Sequence, residues 1–130
     1  MPLHHHSLIA WQRADDLFIH VYELSQQHFP REELFGLTSQ LRRAAYSVPA
    51  NIVEGFARES ARERLRFLEI AAGSLAEVGY CLHAAKRLGF LKESTYCASE
   101  TEVKRASAPL HGLLRQYRDR TQRGRTTRRE

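Results

Sequence analysis

Apolar positions recur at steps of three and four in four separate stretches of the chain. The first runs Ala10, Ala14, Leu17, Val21, Leu24 and His28, and the second Leu37, Leu41, Ala45, Val48, Ile52 and Phe56, ending near Ala57. The third, Leu68, Ala71, Leu75, Val78, Leu82 and Ala85, is the most regular and stops at Gly89 in "RLGFL". The fourth is Tyr96, Ser99, Val103, Ala106, Leu110, Leu113 and Tyr117. This spacing stacks side chains on one face of an α-helix, and the strict alternation of a strand occurs nowhere. Pro30 in "HFPRE" separates the first two stretches, because the residue before a proline is pushed out of helical conformation. The pattern predicts an all-α fold, an antiparallel up-and-down four-helix bundle of rods roughly 30 to 40 Å long. Heptad-like spacing favours shallow crossing angles near ~20°.

Pro49 interrupts the second stretch in "SVPAN". It has no amide hydrogen, so the carbonyl of Ala45 loses its helical partner, and the sequence predicts a helix kinked at Pro49. Ser47 and Asn51 flank the proline with short polar groups able to bond freed backbone, Glu54 can anchor the bend to an arginine or an amide, and Gly55 leaves room for close approach one turn later. The competing reading makes Asn51 and Glu54 ligand contacts in an opened turn. Ala72 and Gly79, beside the third stripe, predict close approach of a neighbour there.

A second row on the first helix, Trp11, Phe18 and Tyr22, lies beside the main stripe. One core needs one stripe, so these residues are a candidate oligomer interface; a wide single core face is the alternative.

A chain of 130 residues with 42% apolar and 27% charged residues suits one domain, and no apolar run approaches the roughly 20 residues of a membrane span. The start, "MPLHHHSLIAW", lacks the pattern of a secretion signal, so a cytoplasmic location is expected. Residues 1–7 read as a flexible lead, 8–117 as the bundle and 118–130 as a basic, disordered tail. His4, His5 and His6 belong to that lead, and Cys81 and Cys97 read as small buried hydrophobes.

Charge is unevenly placed. From Arg118 to Glu130 six arginines (Arg118, Arg120, Arg123, Arg125, Arg128 and Arg129) face two acids, a net of +4, whereas the other 117 residues carry a net of +1. Such a tail is a candidate phosphate-binding arm. Within the body, Arg58, Arg62 and Arg66 cluster around the start of the third helix, and Arg42 and Arg43 lie about four turns away on the second. Glu59 and Glu63 interleave with the first group, as on any solvated helix face. No stacked-aromatic pattern for reading bases is evident.

Catalytic signatures are missing. There is no Glu-x-x-His pair, phosphate loop, nucleophile elbow or zinc-ligand cluster, so neither metal nor cofactor is expected. Glu54, Glu69 and Glu77 read as solvated or arginine-paired carboxylates, and the chain as a non-enzyme.

The blocks "QLRRAAYSVPANIVEG" and "FLEIAAGSLAE", in order within Leu8 to Leu91, resemble the four-helix-bundle family of 23S ribosomal RNA intervening-sequence proteins. The resemblance extends to the accessory subunits of diversity-generating retroelements, bundles that bind nucleic acid and a reverse transcriptase. It implies a homopentamer, with RNA or DNA and a reverse transcriptase as candidate partners. Two functions follow as expectations: a nucleic-acid-associated accessory protein, or a homo-oligomeric scaffold for a protein partner. The last forty or so residues fall outside the resemblance, and Pro109 and Gly112 are expected to weaken or bend the fourth helix.

Overall fold

The computed structural model describes residues 8–129, with side chains through Gly124. Four helices follow in order, α1 (Ile9–His28), α2 (Leu37–Phe56), α3 (Ala61–Arg87) and α4 (Glu93–Arg129), with a short 3-10 turn, Arg31–Glu33, ahead of α2. No strand occurs among the described residues. The expected lead, with His4, His5 and His6, lies outside them.

Local chemistry sets the helix ends. Ser60 precedes α3 and its Oγ accepts the amide of Glu63 at 3.1 Å, half of a capping box written as Ser-x-x-Glu. At the other end of α3, Gly89 has φ +83°, the amide of Phe90 bonds the carbonyl of Ala85, and the amide of Gly89 bonds that of Lys86. This is a Schellman stop, and it brings Phe90 against Phe29 with ring centres 5.8 Å apart. Ahead of α2, Glu33 Oε2 accepts the amide of Leu37 at 2.9 Å. A Cβ on Gly36 would fall 2.7 Å from that same oxygen, so a larger residue there would push the Glu33 carboxylate off the Leu37 amide.

Cross-helix bonds give the topology. Phe18 and Ser25 of α1 meet Tyr46 and Arg42 of α2, so numbering rises on one helix as it falls on the other. The same inversion joins Ser47 to Ser74 and Gly55 to Phe67, Arg64 to Tyr117 and Lys86 to Glu93, and Arg13 to Arg105 and His20 to Ser99. Each helix packs on its chain neighbours and α1 closes against α4, an antiparallel up-and-down bundle. Lys86 Nζ lies 2.6 Å from Glu93 across the last turn; that hydrogen bond raises the lysine pKa and lowers the carboxylate's.

The four stripes make the core. Leu17, Val21, Leu41, Val48, Ile52, Leu68, Val78, Leu82 and Leu110 are fully or almost fully buried, each fully buried aliphatic side chain contributing about 1.5–3 kcal/mol of hydrophobic stabilisation. Ser99 is buried with them. Its one hydroxyl proton goes to the carbonyl of Thr95 at 3.0 Å, so His20 must donate to it through Nε2, at 3.0 Å.

Several expectations need correction. His28 is exposed, because α1 ends there and Phe29 turns into the core in its place. Leu114 is buried where Leu113 is half-buried. Cys81 is buried but Cys97 is exposed, since it lies on α4 away from the Ser99 and Ala106 stripe. A Cβ on Gly79 would meet nothing within 4 Å, so no helix approaches closely there. Helix α4 continues through Pro109 and Gly112 and on to Arg129, so the basic segment is helical where a disordered tail was expected. Arginine and glutamine are good helix formers, and the buried Tyr117 anchors the turn from which the segment grows.

Candidate nucleic-acid interface

Arg58, Arg62 and Arg66 come from the α2–α3 turn and the first turns of α3, and Arg118 and Arg120 from the antiparallel end of α4. Arg64 fastens these elements. Its Nε donates to the carbonyl of Arg58 at 2.8 Å, Nη1 donates to the Tyr117 hydroxyl at 3.2 Å, and the guanidinium lies 5.2 Å from the Phe56 ring centre. Phe56 meets Tyr117 edge to face at 5.9 Å. Three elements thus share one cation, which ties together the backbone segments that carry the exposed arginines.

Their environments differ. Arg58 pairs with Glu54 at 3.4 Å and lies 5.1 Å from the Phe67 ring centre, Arg118 approaches Glu69 at 3.9 Å, and Arg120 sits 4.7 Å from the centre of the Tyr117 ring. The two ion pairs are solvent-exposed, so each contributes about 0–1 kcal/mol and yields readily to a phosphate. Arg62 and Arg66 are exposed and form no side-chain ion pair among the described residues. Arg123 also lies on α4, two to three turns beyond the last core leucine; the side chains of Arg125, Arg128 and Arg129 lie outside the described residues.

Arg42 and Arg43 are not part of this end. Arg42 Nε donates to Ser25 Oγ at 2.9 Å and its guanidinium covers Tyr22 at 4.0 Å, so it clamps α2 to α1. Arg43 bonds Gln40 at 2.9 Å in the same half of the bundle. Arg64 was not among the residues singled out from sequence. Its partners lie as far as 53 positions away, and spacing within one helix carries no sign of them.

The proline motif is mostly an inter-helix joint. Pro49 is buried inside α2. Asn51 Nδ2 donates to the Ser47 carbonyl at 2.7 Å and to Ser47 Oγ at 2.9 Å, and Ser74 of α3 donates to Ser47 Oγ at 2.8 Å. The expected bond to the Ala45 carbonyl is not made by either side chain: Asn51 Nδ2 is spent on Ser47, and Ser47 Oγ takes the proton of Ser74. Gly55 is buried, and a Cβ there would stand 3.2 Å from Phe67 Cβ and 3.4 Å from the Arg64 carbonyl, so α2 and α3 do approach closely.

Of the second row on α1, Trp11 and Phe18 are half-buried and Tyr22 is exposed. Trp11, Asp15 and Phe18 form one wall of a groove, and Tyr46, Pro49, Ala50 and Val53 of α2 form the other. Among the described residues no group of three or more His, Cys, Asp or Glu is placed to hold a metal, and no helix is long and apolar enough to cross a membrane.

Comparison with curated proteins finds no match. Among solved structures, the crystal structure of a protein with unknown function from the S23 ribosomal protein family of Bacteroides thetaiotaomicron VPI-5482 superposes with a TM-score of 0.72 at 17% sequence identity, covering 82% of this chain and 98% of that one. At that identity the likeness speaks for the fold alone. The family model for the 23S rRNA-intervening sequence protein matches residues 6–112, both helical blocks included, and the chain belongs to that family.

Proposed function

We propose that this protein is a non-enzymatic, oligomeric, cytoplasmic accessory protein that binds the phosphate backbone of RNA or DNA. The observation that carries this reading is the exposed arginine set at one end of the bundle, Arg58, Arg62, Arg66, Arg118 and Arg120, held on three elements that Arg64 fastens together. Helix α4 carries the basic segment onward from that end with a net charge of +4. In an oligomer each copy would add one such surface, and avidity would raise affinity without new contacts.

Salt dependence tests it, because each phosphate contact releases counterions and adds about 1 to the slope of log affinity against log salt. Arg62→Gln, Arg66→Gln, Arg118→Gln and Arg120→Gln combined are expected to weaken binding to RNA and DNA alike and to flatten the slope. Affinity and slope equal to those of the parent chain would overturn the reading.

A scaffold for a protein partner is the second reading, favoured by the α1–α2 groove with Tyr46 60% exposed at its edge. Capture of a protein partner by a chain that binds no nucleic acid would establish it.

A further inference from the structure

The outward face of α3 carries a group of side chains that neither the core nor the arginine end uses. Tyr80 is 70% exposed and Leu88 61%, with His83 and Arg87 exposed beside them. The Tyr80 and His83 rings lie 6.4 Å apart at 31°, nearly side by side. Together with Ala84, Arg87 and Leu88 they line a shallow hollow of about 360 Å³. Single exposed apolar residues are ordinary, but a contiguous aromatic pair, a leucine and a cation around one hollow form a surface of defined chemistry.

Charge on the same face selects the ligand. Arg87 forms no side-chain ion pair among the described residues, nor do Arg62 and Arg66, which share the outward stripe of α3 with Tyr80. Arg66 stands fourteen residues before Tyr80, about 21 Å along the helix. Between them the stripe passes Gly73 and Ala76, both exposed, and a Cβ on Gly73 would meet nothing within 4 Å, so the path is low. The two acids between Arg66 and Arg87 are Glu69, which Arg118 approaches at 3.9 Å, and Glu77. Aromatic faces flanked by cations along a smooth track suit bases stacked in sequence with phosphates beside them. A duplex hides its base faces, whereas a single strand offers them.

We propose that the Tyr80–His83 pair is a stacking platform for an unpaired base of a single-stranded nucleic acid, with Arg87 on one side and Arg66 and Arg62 on the other contacting its phosphates. This rests on the nucleic-acid reading above and adds to it a preference for single strands. Stacking tolerates any base, so little sequence preference accompanies it.

The test is fluorescence anisotropy of the full chain with labelled oligo-uridine, oligo-thymidine and a mixed-sequence duplex of matched length. Tyr80→Ala is expected to weaken single-strand binding about tenfold and leave duplex binding unchanged, while Tyr80→Phe, which keeps the ring face, retains parental affinity. The two oligonucleotides separate RNA from DNA as the favoured strand. Parental single-strand affinity in Tyr80→Ala overturns the platform, and so does an equal loss toward the duplex. If the parent chain binds both nucleic acids and Tyr80→Ala changes neither, this inference fails while the backbone-binding function stands; if the parent binds none, both fail. Tyr80 is exposed, so an unchanged helical circular dichroism spectrum is expected to accompany either variant.

Discussion

Arg64 donates a hydrogen bond to the hydroxyl of Tyr117 at 3.2 Å, joining the start of α3 to the end of the bundled part of α4. The same guanidinium closes the α2–α3 turn through the Arg58 carbonyl and lies over Phe56. Hydrogen bonds to a charged group contribute about 1.5–3 kcal/mol, so Arg64→Ala is expected to lower unfolding free energy by about 2 kcal/mol in urea titrations. Arg64→Lys keeps the charge but lacks the planar fork that serves two acceptors at once, and should recover less than half of that loss. An unchanged denaturation midpoint for Arg64→Ala would show that the joint is not a stabilising one.

Two glycines in helices should respond oppositely to alanine. Away from packing, Gly→Ala in a helix is worth up to about 1 kcal/mol, and Gly73 meets that condition, so Gly73→Ala should raise the melting temperature. At Gly55 the new methyl would press on Phe67 Cβ and the Arg64 carbonyl, both tethered to the α3 backbone and unable to swing away. Gly55→Ala should therefore destabilise by about 1–3 kcal/mol despite the better helix propensity. A Gly55→Ala chain as stable as the parent would mean that α2 can move off α3 at little cost.

Stripe residues such as Leu17, Val48, Leu75 and Leu82 were legible because burial on one helix face imposes a period that survives in the sequence. Gly55 was legible too, as a small residue six positions beyond a proline. What the period does not encode is direction across the bundle. Arg42 and Arg62 look alike in the sequence, yet Arg42 is spent on Ser25 and Tyr22 while Arg62 faces solvent. Tyr117 lies on the fourth stripe and is buried and Tyr80 lies off the third and is exposed, as the period has them, but the period does not say that Tyr80 and His83 come together as a ring pair. The helical state of the basic segment was obscured because high charge reads as disorder, although arginine itself favours helix.

The two cysteines should differ in reactivity. Cys81 is buried, and desolvation first, then the charge of Glu77, pushes its thiol pKa upward. Cys97 is exposed, but its thiol donates to Glu93 at 3.5 Å, and that hydrogen bond, with the carboxylate's charge, raises its pKa as well. A thiol-specific reagent on the native protein is expected to modify Cys97 alone, slowly at neutral pH and faster as pH rises through the displaced pKa, because the thiolate is the reacting form. Glu93→Gln removes the nearby charge and should speed the reaction at neutral pH. Fast modification of both cysteines in the folded chain would contradict the burial of Cys81.

The α1–α2 groove bears on assembly. Trp11 and Phe18 pack partly on the core, and Tyr46 stands 60% exposed at 5.8 Å from the Phe18 ring. If a second copy covers this face, a carboxylate placed in it would be buried without a partner, at a cost large enough to break most non-covalent contacts. Trp11→Asp is then expected to reduce the solution mass by light scattering from a multiple of the 15.0 kDa chain, five-fold for a pentamer, to that of one chain. Because Trp11 also touches the core, Tyr46→Asp provides the cleaner variant: its exposed side chain contributes little to the fold of one chain, so dissociation there reports the interface itself. Folded Tyr46→Asp and Trp11→Asp chains that both keep the parental mass would remove α1 and α2 from the interface and leave the groove open to a partner of another kind.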